Sequence, residues 1–329
     1  MAEQKSDISS VVVTGAAGYI GGQTVLEFSD AGYNVVGIDI KQPRKSVLNA
    51  MSRFVTVNFS TDRATDEISK SNPIAIIHCA GSSLVAPSVD DPESYYTNNF
   101  IKTKRLLDNL LETRSCSKII TSSSAAVYGN PSQTPISENS PCAPISPYGE
   151  SKLMVDMLLS AYHKAYGIDY VAFRYFNACG ADPHNRHGQD SDATHIIARI
   201  TNSLKNNSQF VLNGKNYDTP DGTCIRDYIH VSDIARAHRL AVENETKSRP
   251  YNLGSSAGLS NLDIISVAQK NIGKDLLWKY GEERDGDPDI LTADAEAFSN
   301  QTGWKPTWEI DDIITHAWNW QTRNVDSSA

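Results

Sequence analysis

The sequence lacks long apolar runs, paired cysteines and an excess of basic residues, and each absence excludes a class of protein. Its five cysteines form no C-x-x-C pair and no even framework, so reduced thiols are the simplest interpretation. No apolar run is long enough to cross a bilayer, and the polar residues 1–10 do not resemble a signal peptide. A net charge of -9 disfavours nucleic acid and anionic membranes as partners. We therefore expect a cytoplasmic protein with no nucleic-acid or membrane partner.

What the sequence does contain is a regular alternation of short apolar runs and amphipathic stretches. With 329 residues, the chain is long for one core and predicts two domains or one enlarged α/β unit. Repeated strand–helix units favour a doubly wound, parallel Rossmann-type sheet, in which ligands bind at the carboxyl ends of the strands. The predicted strands of the first half span residues 11–13, 35–38, 54–57, 74–78, 118–121 and 170–173.

A glycine-rich turn follows the first of these strands. Gly15, Gly18 and Gly21 form a G-x-x-G-x-x-G pattern between the strand and an amphipathic helix. Glycines at such a turn let the backbone approach a pyrophosphate, which then lies at the helix N-terminus. Asp39 ends the next strand, where a carboxylate accepts from both ribose hydroxyls of NAD and repels the 2′-phosphate of NADP. The pattern predicts a dinucleotide site that prefers NAD.

Small and polar residues also end the later strands. The fourth strand runs into Gly81, the fifth into three serines that end at Ser124, and the sixth is followed by Asn177. Because the carboxyl ends of parallel strands meet at one edge of a sheet, these residues should surround the ligand together with the glycine-rich turn.

A tyrosine and a lysine share one face of a predicted helix near the middle of the chain. Ser146 is a good N-cap and Pro147 suits the first turn, so a helix should begin there. Tyr148 and Lys152 are four residues apart, about 6 Å along the helix axis. A nearby ammonium lowers the pKa of a phenol, so Tyr148 could act as a base near neutral pH. The same pair also suits an ordinary helix surface, so the spacing alone leaves both interpretations open.

Past residue 179 the alternation breaks down. Residues 180–192 are polar and predict a loop, in which His184 and His187 have no third ligand nearby. We therefore expect solvated loop histidines and no metal site. The predicted organisation is a Rossmann-type dinucleotide-binding domain over residues 8–178, with a return segment around 226–250, and a smaller α/β substrate domain over 179–329.

Six motifs in this order resemble the extended short-chain dehydrogenase/reductases, specifically the UDP-glucose (UDP-galactose) 4-epimerases. The resemblance covers nearly the whole chain, and it implies NAD as the cofactor, a UDP-sugar as the substrate of the second domain, and a homodimer. The motifs are TGAAGYIG at 14–21, SSSAAVYG at 122–129, SPYGESK at 146–152, RYFN at 174–177, DGTCIRDYIH at 221–230 and YNLG at 251–254.

The resemblance implies roles for three groups of residues. The implied catalytic group is Ser124, Tyr148 and Lys152. The implied cofactor-binding group is Gly15, Gly18, Tyr19, Ile20, Gly21, Asp39, Asn58, Phe59, Cys79, Ala80, Gly81, Asn98, Ser122, Tyr148, Lys152 and Tyr175. The implied substrate-binding group is Ser124, Tyr148, Asn177, His195, Ile196, Val211, Asn213, Arg226, Arg284, Asp287 and Leu291.

Three positions depart from the family's pattern. Asn58 stands where an aspartate near the adenine is usual, although its side-chain oxygen can still accept a hydrogen bond. Ser83 replaces a frequent lysine near the cofactor, and Asn213 replaces an aromatic residue near the uracil. Weaker contacts to the cofactor and to the base are therefore expected, with the chemistry unaffected.

Two other functions share most of these features. A nucleotide-sugar dehydratase needs an acid/base pair after the serine, and Ala125 and Ala126 cannot supply it. A UDP-glucuronate 4-epimerase stays open as an alternative. A non-catalytic NAD-binding sensor would lack one of the three catalytic residues, and all three are present.

The resemblance also implies the site that selects the sugar and the face that forms the dimer. Leu291 stands where the family's size gate lies, beside carbon 2 of the sugar. Leucine is intermediate between a tyrosine, which closes the gate, and a small residue, which admits an N-acetyl group. The helix that follows Tyr148 and the one predicted over residues 95–112 are expected to pair across a two-fold axis.

Overall fold

In a computed structural model, which describes residues 8–283 and 287–323, the short apolar runs of the first half form parallel strands. Over both halves, the strands of the described residues are β1 (Ser10–Thr14), β2 (Asn34–Asp39), β3 (Arg53–Thr56), β4 (Ala75–His78), β5 (Lys118–Ser124), β6 (Asp169–Tyr175), β7 (Asn177–Cys179), β8 (Phe210–Asn213), β9 (Ile225–His230), β10 (Arg249–Leu253), β11 (Gly258–Ser260), β12 (Trp278–Gly281) and β13 (Ile290–Leu291), and β11 alone of these pairs antiparallel.

Helices connect most of these strands. They are α1 (Tyr19–Asp30), α2 (Lys45–Asn49), α3 (Asp62–Ser71), α4 (Ala86–Asp90), α5 (Pro92–Tyr95), α6 (Lys102–Thr113), α7 (Pro147–Tyr166), α8 (Ile196–Asn206), α9 (Val231–Glu243), α10 (Asn261–Ile272), α11 (Glu296–Thr302) and α12 (Ile310–Thr322). A π-helical segment, Tyr96–Ile101, joins α5 to α6, so the helix predicted over residues 95–112 is one rod with an irregular turn. None of the helices within the described ranges is both long and apolar enough to span a bilayer.

The main sheet has seven parallel strands in the order β3-β2-β1-β4-β5-β6-β10. Its inner strand β1 is buried at all five positions, which is typical of a sheet covered by helices on both faces. The strand order reverses direction between β1 and β4, and ligands bind at this switch point in doubly wound folds. The predicted fold class is therefore confirmed.

The edge strand β10 comes from the second half of the chain. It pairs with β6 over its whole length, and α9, which precedes it, packs against α1. The segment that returns to the main sheet thus extends to Leu253, three residues beyond the predicted end of the return segment.

The remaining elements form a smaller α/β unit. Its four-stranded sheet has β9 at the centre, paired with β7, β11 and β13, and a two-stranded sheet joins β8 to β12. Helices α8, α10 and α12 pack around a separate apolar core, to which Ile200, Phe210 and Ile314 contribute. Strand β7 follows β6 after a single residue and pairs with β9, so the smaller unit begins at the carboxyl end of the main sheet.

Candidate active site

The glycine-rich turn forms a close-packed cradle between β1 and β4. Gly15 has a φ of 73°, and a Cβ there would lie 2.6 Å from the backbone nitrogen of Ala80. A Cβ at Gly21 would lie 2.0 Å from the carbonyl oxygen of Gly15, so the first turn of α1 rests directly on the loop. Only glycine fits at either position. This packing keeps the backbone of the loop close to α1 and β4, so that a ligand can reach the N-terminus of α1.

The N-terminus of α1 is open. Its N-cap, Gly18, has no side chain, and no acidic residue occupies its first turn. Unpaired N–H groups and the positive end of the helix dipole make such a terminus an anion site. Asp39 stands at the end of β2 and accepts from the backbone N–H of Ala17 in the glycine turn, at 2.9 Å. The turn and the candidate ribose-binding carboxylate are thereby held together.

Asn58 and Phe59 follow β3 on the same side of the sheet. The side-chain oxygen of Asn58, expected to face the adenine, accepts from the N–H and the hydroxyl of Ser60 at 3.1 and 2.9 Å. In this structure the Asn58 side chain therefore stabilises the loop to which it belongs. Phe59 is buried with its ring edge against His78, the centroids 4.8 Å apart.

Asn99 is a site residue that sequence reasoning missed. Only 2% of it is exposed, and its side chain links Ser82 after β4 to the Ser151 hydroxyl of α7 at 2.7 and 2.9 Å. A Cβ at Gly81, which has a φ of 153°, would lie 2.6 Å from the Asn99 side-chain oxygen. Asn98, the expected residue, makes one 3.2 Å bond to the Ser82 hydroxyl. The irregular π-helical turn directs the Asn99 side chain toward the protein interior. In the sequence, the only sign of Asn99 was its position next to Asn98.

Helix α7 begins as predicted, with the hydroxyl of Ser146 capping the backbone N–H of Gly149 at 3.2 Å. Tyr148 and Lys152 are both buried on its inner face. The Lys152 ammonium donates to the carbonyl of Ser122 at 2.8 Å and lies 5.8 Å from the centre of the Tyr148 ring. The structure thus brings together Tyr148, Lys152 and the serine-rich end of β5.

Burial dominates the electrostatics of this pair. It raises the pKa of Tyr148, although a hydrogen bond with the side chain of Ser124 partly opposes the shift. Burial also lowers the pKa of Lys152 to about 8, against the opposing charges of Cys79 and Asp156. The expectation that Lys152 lowers the pKa of Tyr148 is therefore wrong for the protein alone. Removing Tyr148 and Lys152 from water costs their charged forms more free energy than the lysine charge gives back to the phenolate at this distance.

The lowered pKa of Lys152 predicts a fall in activity at alkaline pH. A lysine is charged below its pKa, so its ammonium should be lost as the pH rises through about 8. We expect kcat/KM to decline above that value when it is measured from about pH 6 to about pH 10. Lys152→Arg stays charged over this range, so its profile should lack the decline even if its activity is lower. A decline of equal position in both proteins would assign it to another group.

The wall beside Lys152 is formed by Ser122 and Tyr175. Ser122 lies on β5 and its hydroxyl is 3.2 Å from the hydroxyl of Tyr175, on β6. Strand pairing sets Tyr175 directly beside Ser124. Ser124 begins a short 3₁₀ turn, Ala125–Tyr128, and its hydroxyl accepts from the N–H of Ala126 at 3.1 Å. Neighbouring strand ends therefore carry all three side chains to one edge of the sheet.

Four of the predicted substrate residues meet around β9. Asn177 on β7 donates to the carbonyl of Asp227 at 2.9 Å, and Leu291 on β13 pairs with Arg226 in register. Asp287 lies 3.5 Å from the Arg226 guanidinium. This guanidinium is almost fully buried, and its Nη2 has no hydrogen-bond partner within the described residues. A buried cation with an unused donor suits an anionic ligand.

The other predicted substrate residues form a second group. His195 caps α8 and Ile196 is its first residue, while Val211 and Asn213 lie on β8. Arg199 of α8 donates to the carbonyl of Val211 at 2.9 Å, which ties the helix to the strand. Arg284 lies outside the described residues.

His187 differs from its prediction as a solvated loop histidine. It is 3% exposed, its ring stacks on that of Tyr19 with centroids 6.3 Å apart, and its Nε2 is 2.9 Å from the Tyr19 carbonyl oxygen. The Tyr19 hydroxyl in turn donates to the carbonyl of Gly180 at 2.8 Å. The loop after β7 thus packs onto the start of α1, a contact between distant parts of the chain that local composition does not reveal. Burial lowers the pKa of His187 to about 4, so its ring is neutral.

Comparisons with known proteins agree with this geometry. The sequence model of the "NAD dependent epimerase/dehydratase family" matches residues 11–254. The chain is 40% identical to the UDP-glucose 4-epimerase of Halalkalibacterium halodurans, over 94% of this chain and 95% of that protein. A second curated relative, the UDP-glucose 4-epimerase of Azospirillum brasilense, is 37% identical over 100% of this chain and 96% of that protein.

Solved structures give the same result. The UDP-glucose 4-epimerase from Brucella ovis in complex with NAD is 38% identical, with a TM-score of 0.89 over 94% of this chain and 97% of that one. The UDP-glucose 4-epimerase from Stenotrophomonas maltophila, with bound NAD and formylated UDP-arabinopyranose, is 29% identical, with a TM-score of 0.90 over 95% and 98%. The resemblance found in the sequence motifs is confirmed, and the chain belongs to the NAD dependent epimerase/dehydratase family.

Proposed function

We propose that this protein is an NAD-dependent UDP-hexose 4-epimerase, acting on UDP-glucose and UDP-galactose. The observation that carries the proposal is the grouping of Ser124, Tyr148 and Lys152 at the switch point, beside the glycine cradle. Near-full-length similarity to UDP-glucose 4-epimerases supports the same reaction. Together with a hydride acceptor, which bound NAD would supply, these groups can invert a secondary alcohol.

The residues present fit NAD. The cradle at Gly15 and Gly21 has no room for a Cβ, the N-terminus of α1 is open to a pyrophosphate, and Asp39 stands where a ribose diol would bind. When bound, NAD supplies a hydride acceptor and a positively charged ring. Family membership supports the same cofactor.

In the proposed reaction Tyr148 removes the proton of the sugar 4-hydroxyl and later returns it. Its burial disfavours the phenolate, so the reaction depends on positive charge that is present only with Lys152 protonated and the cofactor bound. Ser124 hydrogen-bonds Tyr148 and can bridge it to the 4-oxygen. The 4-keto sugar must then turn over before the proton and hydride are restored on its other face.

Turning the sugar requires a firm hold on the rest of the substrate. Arg226 suits this task, since its guanidinium is buried and held by Nη1, which donates to the carbonyls of Ile225 and Asp289 at 3.0 and 3.3 Å. Its Nη2 forms an ion pair with Asp287 and no hydrogen bond within the described residues. A guanidinium fork matches the oxygens of a pyrophosphate. Asp287 lies 3.5 Å from Nη2 and helps to orient the guanidinium.

A coupled assay with UDP-galactose tests the proposal. We expect UDP-glucose to form without added reductant, because the hydride leaves and returns within one turnover. Turnover of UDP-glucuronate with none of UDP-galactose would favour the uronate epimerase, and NAD binding without any turnover would favour a sensor. Ala125 and Ala126 still argue against elimination, since both are apolar and directly follow Ser124.

Leu291 is proposed to set the size of the group accepted at carbon 2 of the sugar. It is half-buried beside Arg226 and packs against the core that contains Phe176 and Leu253. We expect Leu291→Tyr to suppress activity on UDP-N-acetylglucosamine selectively and Leu291→Ser to raise it, each by about tenfold to a hundredfold, typical of an overpacking term of about 1–3 kcal/mol. The parent should prefer UDP-glucose and UDP-galactose.

Catalytic efficiency on both sugar pairs, measured for the parent and both variants, checks this prediction. UDP-glucose serves as the internal control, because its smaller hydroxyl should fit in all three proteins. If the two substitutions change both substrates in parallel, Leu291 packs the core and the gate lies elsewhere.

A homodimer through α6 and α7 is the proposed assembly. The outer face of α7 leaves Met157 65% exposed, and Ile101, the last residue of the π-helical segment before α6, is 55% exposed. Half-buried Leu153 and Met154 continue the apolar surface on α7. Exposed apolar groups at helical spacing suit a partner helix. Light scattering at micromolar concentration should give about twice the chain mass, and Met157→Glu should shift it toward the monomer; a monomeric parent would exclude the dimer.

A further inference from the structure

His238 of α9 is a fully buried histidine that forms a cluster with two aromatic rings. It stacks on Phe173 with centroids 5.3 Å apart and planes 16° apart, and on Tyr175 with centroids 5.9 Å apart. Its Nε2 is hydrogen-bonded to the hydroxyl of Tyr175. Its Nδ1 has no partner among the residues described here. Phenylalanine would fill the same space without burying an unpaired nitrogen, so packing alone does not account for a histidine.

The direction of the hydrogen bond follows from the unpaired nitrogen. Burial lowers the pKa of His238 to about 3, so the ring is neutral and carries one proton. A buried N–H group that lacks an acceptor is rarer, and costs more free energy, than a buried acceptor that lacks a donor. The nitrogen of His238 that has no partner is Nδ1. The proton therefore belongs on Nε2, which donates to Tyr175.

This donation orders the next hydroxyls in turn. When Tyr175 accepts from His238, its own O–H is free to point at the hydroxyl of Ser122, 3.2 Å away. Ser122 is also the residue whose carbonyl accepts from Lys152 at 2.8 Å. A chain of hydrogen bonds thus runs from α9, through the end of β6, to the residue that holds the lysine.

We propose that His238 is a positioning residue that fixes the orientation of the Tyr175 and Ser122 hydroxyls and so preorganises the wall of the NAD site. The inference rests on the proposed function, since Tyr175 and Ser122 belong to the proposed cofactor-binding group. Polar groups held in place before a ligand arrives cost no reorganisation when it binds or reacts. Without the donor on α9, the Tyr175 hydroxyl is free to rotate.

Two substitutions separate positioning from packing. His238→Phe keeps the aromatic stack and removes the donor, whereas His238→Gln keeps a side-chain N–H at similar reach and loses the stack. We expect His238→Phe to raise the Kd for NAD and to lower kcat by about tenfold each, with KM for UDP-galactose unchanged. His238→Gln should recover most of both losses, even though His238→Phe is the more heat-stable of the two.

The ranking of the two variants decides the outcome. A purely structural histidine predicts that His238→Phe equals or exceeds His238→Gln in NAD affinity, kcat and stability alike, and this result would overturn the proposal. The Kd for NAD, measured calorimetrically on cofactor-free protein, is independent of turnover. If the parent fails to convert UDP-galactose, the proposed function fails while the NAD affinities still decide the role of His238.

A second variant tests the same bond from its other end. Tyr175→Phe removes the hydroxyl and should weaken NAD binding by at least the factor seen for His238→Phe. In the Tyr175→Phe background, His238→Phe should cause no further loss, because the group that it orients is gone. Additive losses in the double variant, or unchanged NAD affinity in Tyr175→Phe, would show that the hydrogen bond has no positioning role.

Discussion

Tyr148→Phe should lose epimerase activity by about two to four orders of magnitude while it keeps its fold and its NAD. The substitution removes only the hydroxyl that moves the proton. The ring contributes edge-to-face packing on Tyr95, with centroids 6.3 Å apart, and phenylalanine preserves that contact. Initial rates with UDP-galactose, together with the NAD content of the purified variant, check the prediction.

The matched control for this variant is Tyr95→Phe. Tyr95 is buried beside Tyr148, but its hydroxyl bonds to the backbone of Leu84, whereas that of Tyr148 bonds to Ser124. It should retain activity within a few fold, because it packs against the base without exchanging a proton. Near-normal turnover by Tyr148→Phe would show that another group is the base.

Gly21→Ala should weaken NAD binding at least tenfold to a hundredfold, the expected result of overpacking by about 1–3 kcal/mol or more. The added Cβ would lie 2.0 Å from the carbonyl oxygen of Gly15, a backbone atom that cannot rotate away. The glycine loop must therefore lift off α1, which spoils the cradle for the pyrophosphate. Calorimetric titration of the cofactor-free protein with NAD measures the effect.

Gly18→Ala provides a graded control in the same loop. Its Cβ would lie 3.2 Å from the same carbonyl oxygen, a distance that a shift of a few tenths of an ångström relieves. A smaller loss of NAD affinity is expected than for Gly21→Ala. Equal losses in the two variants would mean that the 2.0 Å contact does not determine the shape of the cradle.

Local patterns were sufficient to predict the fold and the elements that carry the candidate reacting groups. The alternation of strands and helices predicts the parallel sheet because each βα unit is encoded within a short stretch of chain. The spacing of Gly15, Gly18 and Gly21 and the pairing of Tyr148 with Lys152 are likewise local, and α1 and α7 carry them as expected. Parallel strand order then gathers these groups at one edge.

Sequence patterns could not predict the contacts between segments that are distant in the chain. Asn99 could not be distinguished from Asn98 because a π-helical turn decides which side chain points inward. His187 was predicted to be solvated and His238 was not singled out, because only tertiary packing shows that each is buried against a tyrosine of the proposed cofactor-binding group. The pKa of Tyr148 was misjudged for the same reason, since burial cannot be read from spacing.

The return of α9 and β10 to the main sheet has a consequence for the folding of the nascent chain. Until residue 253 has left the ribosome, one edge of β6 has no partner strand. During the same time, the face of α1 that α9 covers in the folded protein stays exposed to solvent. Exposed edges and apolar faces of this kind promote aggregation. At about 5–20 residues per second, the 78 residues between the end of β6 and the end of β10 take several seconds to synthesise. Ribosome-bound chains that stop after Tyr175 should therefore be protease-sensitive, and chains that extend past Leu253 should become protected.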